Sequence, residues 1–118
     1  MAKYVDGFAI AVPRKNVAAY KRLATWGRKI WMKHGALQYF ECVGDDLKAT
    51  PGCGPGFLKG IGAKPGETVV FAFVIYKSRA HRDAVNAKVL KSMPATPPKM
   101  PFDMKRFLCG GFNVLVEG

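Results

Sequence analysis

Acidic residues are scarce in this chain: eight Asp and Glu stand against 19 Lys and Arg, a net charge of +11 over 118 residues. Such an excess attracts anions, whether nucleic acid, acidic lipid or anionic metabolites, and carries no information about fold. Cysteine is scarce too. Cys42, Cys53 and Cys109 are odd in number, scattered and never in a CxxC pair, which reads as reduced thiols rather than a disulfide framework. Histidine is limited to His34 and His81, so a zinc site would need a purely tertiary arrangement, and no metal or cofactor is assigned. Long apolar runs are missing. The stretch Val69 to Tyr76 is strand-sized, whereas a bilayer-spanning helix needs about 20 apolar residues. The opening Met1 to Gly7 contains Asp6 and lacks a signal peptide's layout. A cytoplasmic protein is expected. The glycine-rich run Gly52-Cys53-Gly54-Pro55-Gly56 is no phosphate-binding loop, because no GK[ST] follows it.

With 49% hydrophobic and 23% charged residues the composition is that of a globular chain, and 1–118 reads as a single domain. A first strand is expected from Lys3 to Val12. Tyr4, Asp6, Phe8, Ile10 and Val12 share one side; Val5, Gly7, Ala9 and Ala11 share the other. Both sides are mostly apolar, as in a central strand covered twice. Pro13 stops the strand and Asn16 reads as the N-cap of a helix. Val17, Tyr20, Leu23, Ala24, Gly27, Ile30, Trp31 and His34 recur at three- and four-residue spacing and form its apolar stripe. Arg22, Arg28, Lys29 and Lys33 occupy its wetter side, and Gly35 ends it in a left-handed conformation.

A second strand is expected over 36–43, with polar groups mixed among aromatics as in an edge strand or a pocket wall. Residues 44–67 read as one long loop holding a turn or hairpin. A third strand over 68–76 is apolar on both faces and therefore central. Ser78 caps a second helix reaching about Ser92, with His81, Ala84, Val85, Lys88 and Val89 as its inner stripe and Arg79 paired with Asp83. Pro94, Pro97, Pro98 and Pro101 stiffen the connection to a last strand over 106–117. Gly110-Gly111 within it predicts a bulge or a close backbone approach. The order βαββαβ gives an α+β, ferredoxin-like domain: a four-stranded antiparallel sheet with two helices on one face. Its other face is also apolar, and a second copy packing sheet to sheet would cover it.

The segments Tyr4-Val5-Asp6-Gly7-Phe8, His34-Gly35-Ala36-Leu37, Tyr39-Phe40-Glu41-Cys42-Val43, Tyr76-Lys77-Ser78-Arg79-Ala80-His81-Arg82-Asp83, Asn86-Ala87-Lys88-Val89, Met100-Pro101-Phe102-Asp103 and Gly110-Gly111-Phe112 carry a likeness. With these motifs in order along nearly the whole chain, it resembles the bacterial domain-of-unknown-function family 1428. The stretch from Gly52 to Gly62 is where departure from relatives is expected. The resemblance implies a dimeric α/β barrel, two ferredoxin-like sheets facing each other. Its superfamily includes cofactor-independent monooxygenases, haem-degrading and decarboxylating enzymes, and small stress proteins. The family itself has no established activity. Some members are named after the signal recognition particle RNA, which reads as a name passed on from a neighbouring gene.

Five kinds of position stand out chemically. His81, on the inner side of a helix, is either a general base or a hydrogen-bonded structural residue. His34 suits a helix C-terminus or a ligand site. Asp6 and Glu41 are acids in apolar strands; each faces solvent, pairs with an arginine such as Arg79 or Arg82, or lines a cavity where it serves as an acid or base. Tyr39 and Tyr76 offer hydrogen-bond donors. Arg79, His81 and Asp83 at a helix start are the expected anion site. Three functions follow. The first is a dimeric barrel binding a small organic or anionic molecule between the sheet and the first helix or inside the barrel; an enzyme acting on an organic acid or oxidisable aromatic is one form of it. The second is a non-catalytic stress or interaction protein. The third is a non-specific RNA or DNA binder; it ranks last, because the basic residues sit on the helices and not between the aromatics of the sheet.

Overall fold

The computed structural model describes residues 3–96 and 98–118; Met1, Ala2 and the expected rigid Pro97 lie outside them. Strand β1 (Tyr4–Pro13) passes through a 3-10 turn (Arg14–Asn16) into helix α1 (Val17–Lys33). Strand β2 (Gln38–Val43), the single-turn α2 (Phe57–Gly60), strand β3 (Glu67–Tyr76), helix α3 (Arg79–Ser92), a second 3-10 turn (Met104–Arg106) and strand β4 (Leu108–Asn113) follow. The strands lie in the order β2-β3-β1-β4, and every neighbouring pair is antiparallel. This is the ferredoxin-like α+β arrangement, with the two doubly apolar strands at its centre.

Pairing of Tyr4 with Tyr76, Ile10 with Val70 and Val12 with Thr68 sends alternate residues of β1 and β3 to the helix-covered face. Two clusters of buried side chains form there. Tyr4, Val74 and Tyr76 meet Ala36 and the α3 residues Val85 and Val89. Ile10, Val12, Val70 and Ala72 meet Tyr20 of α1, with Phe102 and Phe107 against them. Each such side chain contributes about 1.5–3 kcal/mol when fully buried. The opposite face carries Val5, Ala9, Phe71, Phe73 and Ile75 from the central strands, Phe40 from β2, and Leu108 and Phe112 from β4. Phe40 stacks on Phe73 at 4.9 Å between ring centroids, yet Phe71, Leu108 and Phe112 remain exposed.

The apolar stripe expected of α1 is the one that faces inward: Tyr20 and Gly27 are buried, and its other members are half-buried. Gly35 has φ of 112°, and the Ala36 amide donates to the Trp31 carbonyl at 3.1 Å, so glycine closes the helix as read. Ser78 accepts from the His81 amide as the N-cap of α3. Asn16 departs from expectation: its side chain makes no cap and instead donates to the Pro101 carbonyl at 2.9 Å.

The inner stripe of α3 also differs. Ala84 and Lys88 are exposed, and Arg82, Val85, Asn86 and Val89 face the sheet. The helix is turned by the attraction of Arg82 to the buried Asp6. Asp83 pairs with Arg82 at 2.9 Å rather than with Arg79. The last strand ends at Asn113, opposite Tyr4 where β1 begins and well short of the expected 117; one further backbone bond, from the Val114 amide to the Lys3 carbonyl at 3.0 Å, follows it. Gly110-Gly111 forms no bulge, since the register to β1 runs unbroken. The pair marks a close approach: a Cβ on Gly111 would collide with the Tyr4 ring.

Candidate functional site

A cavity of about 280 Å³ lies between the sheet and α1. Its floor is Phe8, Ile10, Ala72 and Val74 of the central strands, with Tyr39 and Glu41 of β2 at one side. Helix α1 supplies Tyr20, Leu23, Ala24, Trp26 and Trp31. The third wall comes from the connection between α3 and β4, through Met93, Met100, Phe102, Met104 and Phe107. No Lys, Arg or His is among the lining residues.

One charged group stands in this apolar wall. Glu41 is on an edge strand, and its register opposite Ala72 turns it to the helix side. The Tyr20 and Tyr39 hydroxyls each donate to it at 2.6 Å, one to either carboxylate oxygen. Burial, and after it the hydrogen bond to Glu41, pushes both phenols well above their usual range, so both keep their protons and donate at neutral pH. Short O–H···O⁻ bonds of this kind are among the stronger ones proteins make. Gly27 makes the arrangement possible. A Cβ there would stand 3.0 Å from the Tyr39 hydroxyl, so a mid-helix glycine, which ordinarily costs about 1 kcal/mol, leaves room for the donor.

A polar network backs the cavity on its far side. Asp6 is buried and pairs with Arg82 at 3.1 Å. Arg82 also reaches the Tyr4 hydroxyl at 3.3 Å. The Asn86 carboxamide oxygen accepts from the Trp31 indole at 3.1 Å and from the Tyr76 hydroxyl at 3.3 Å. Burial and the nearby Asp6 charge push the Tyr76 phenol up. Trp31 in turn packs against Tyr39, with ring centroids 6.3 Å apart. The network thus fixes the indole that walls the cavity.

The family model described as "Protein of unknown function (DUF1428)" matches residues 3–104. The chain belongs to the DUF1428 family. Among its relatives, the uncharacterized protein YbaA of Escherichia coli strain K12 is 36% identical over 117 residues, 98% of each chain. Its Shigella flexneri counterpart has the same identity and coverage. A crystal structure described as a dimeric ferredoxin-like protein from an uncultured marine organism superposes over 100% of both chains, with a TM-score of 0.59 at 14% identity. At that identity the likeness concerns the fold.

Of the residues singled out by sequence, this DUF1428 chain brings only Tyr39 and Glu41 into the cavity. Asp6 takes the arginine-paired option, with Arg82. The His81 Nδ1 accepts from the Lys77 amide at 3.0 Å and its ring packs edge-on against Tyr76, an arrangement that closes the start of α3. His34 is the C-cap residue of α1. Arg79, the first residue of α3, and Asp83, one turn further on, stand exposed and line no part of the cavity. No group of three or more metal-ligating side chains occurs among the described residues, and no helix among them is long and apolar enough to cross a membrane. Sequence reading did not find Tyr20 as a partner of Glu41, nor Trp26, Trp31 and the methionines as walls. Tyr20 looked like any other stripe residue, and its meeting with Glu41 is set by where β2 docks.

Proposed function

We propose that the protein is a homodimeric binding domain for a small organic molecule, held in the cavity between the sheet and α1. The observation that carries this reading is a carboxylate, fixed by two phenol donors, in the wall of an otherwise apolar cavity. Ligand sites are typically such concave, mostly apolar spaces with a few convergent polar groups. The carboxylate and its phenols supply orientation; the aromatic and methionine side chains supply contact area and adapt to shape. A melt-shift screen of small organic molecules tests the reading, run on the wild type and on Ala24→Phe, which puts a ring into the cavity. Ligands that stabilise the wild type and leave the variant unmoved are expected. Equal shifts for both proteins, or none for the wild type, would count against it.

The homodimer part rests on the open sheet face. Phe71, Leu108 and Phe112 are 47%, 54% and 60% exposed there, a patch of the kind that marks an interface. The structural neighbour described as dimeric supports the same assembly. Light scattering at micromolar concentration should report twice the 12.9 kDa chain mass, and Phe71→Lys should halve it. A wild-type monomer would end this part of the proposal. The three free thiols suit a reducing compartment such as the cytoplasm.

A further inference from the structure

Each acid of this chain pairs with a cation or stands exposed to water, with one exception. Asp6 and Asp83 pair with Arg82, Glu67 with Arg106, and Glu117 with Lys3. Asp45, Asp46 and Asp103 are exposed to water. Glu41 is half-buried, and none of the ion pairs among the described residues includes it. In a chain with 19 basic side chains this is unexpected. Lys21 and Arg28 line an outer groove that Tyr20, Tyr39 and Glu41 also line, but both stay exposed and neither forms an ion pair with the carboxylate. A charge taken from water into apolar surroundings is costly unless a counter-charge or hydrogen bonds replace the lost hydration. The two phenols answer part of that need. An ionised carboxylate has about four acceptor positions, so two phenol bonds leave about half of them free.

We propose that the cavity takes an organic monocation, an amine or quaternary ammonium on an apolar or aromatic body, with the Glu41 carboxylate as its counter-ion. This rests on the cavity being the ligand site. An ammonium N–H fills the open acceptor positions of Glu41, and its charge completes the pair. The rings of Trp26, Trp31 and Tyr39 in the same wall offer π faces that attract a cation. A carboxylate or phosphate ligand would instead meet the Glu41 charge with no lining Lys, Arg or His to offset it. The basic exterior and the acidic, aromatic interior therefore select opposite partners.

Three probes with one body and different heads separate the possibilities: phenethylamine, 2-phenylethanol and 3-phenylpropionate, titrated into the full-length protein by calorimetry. The amine should bind at least about tenfold tighter than the alcohol, the scale of one charged hydrogen bond in a sheltered site, and the acid should bind weakest. Glu41→Gln keeps the side chain's size and an acceptor oxygen, and should erase the preference for the amine while the alcohol still binds. Equal binding of amine and alcohol, or an unchanged preference in Glu41→Gln, would overturn the cation inference and leave the cavity reading standing. Failure of all three probes to bind the wild type would overturn both. If Glu41→Gln does not fold, Glu41→Asp serves in its place: it keeps the charge but withdraws it by one methylene, and should weaken the amine more than the alcohol.

Discussion

The two carboxylates under the helices, the buried Asp6 and the half-buried Glu41, sit one on a central strand and one on an edge, and they are treated differently. Asp6 has an arginine at 3.1 Å and an asparagine amide at 3.5 Å, and the residues on either side of it on the same face of the sheet, Tyr4 and Val74, belong to a buried cluster with Tyr76, Val85 and Val89. Glu41 has two phenols, no cation, and open volume in front of it. The first arrangement holds α3 to the sheet. The second holds a charge ready in an unfilled space. A carboxylate in an apolar strand is therefore not by itself a sign of function; the presence or absence of its own counter-charge separates the two cases.

The contrast breaks most readily at Asp6. Asp6→Asn takes from Arg82 its buried counter-charge and leaves it the exposed Asp83 and the Tyr4 hydroxyl, and destabilisation of roughly 2–4 kcal/mol is expected, the range for a broken sheltered ion pair. Glu41→Gln should change stability by less than about 1 kcal/mol, since one phenol bond survives and the other can reverse. Urea unfolding of both variants measures the difference. Comparable losses would mean that Glu41 is as structural as Asp6.

A third carboxylate sharpens the comparison through pH. Arg106 grips Glu67 with two bonds of 2.8 and 2.9 Å. Those bonds, helped by the Lys64 amide, lower its pKa from 4.5 to about 2. A lowered carboxylate stabilises the fold fully above its unfolded value and loses that contribution as pH falls through the folded one. The melting-temperature gap between wild type and Glu67→Gln should therefore be widest above pH 4.5 and close by about pH 2. A gap that stays constant over that window would remove the ion pair from the account.

The smallest effect concerns Gly27. In an ordinary exposed helix interior Gly→Ala gains about 1 kcal/mol. Here the new methyl meets the Tyr39 hydroxyl at 3.0 Å while Glu41 holds that hydroxyl at 2.6 Å. Gly27→Ala should show little or none of the usual gain in thermal melts and should weaken the amine probe. A full gain with unchanged binding would show that the hydroxyl's position is not constrained.

Much of the fold was legible because its signals are periodic. Alternation in β1 and β3 put both at the centre of the sheet, and the three- and four-residue spacing from Val17 to His34 named the inward face of α1 correctly. Asp6 and Glu41 stood out as charges against an apolar pattern. The cavity was only half visible. Its third wall, from Met93 to Phe107, has proline punctuation and no period, so its inward side chains could not be told from its outward ones. The rotation of α3 was misjudged because the stripe was read from apolar and histidine positions, whereas a charge pair across 76 residues sets it. The close approach at Gly111 depends on the Tyr4 ring beneath it, a contact that only the strand register reveals.

Both tryptophans of the chain line the cavity, so their two indole N–H signals in a nitrogen–proton correlation spectrum report directly on its occupancy. On addition of phenethylamine both signals should move in the wild type, and the movement should require a much higher concentration in Glu41→Gln. Indole signals that stay in place while backbone amides elsewhere shift would place binding outside the cavity and contradict the assignment of Glu41 as its functional carboxylate.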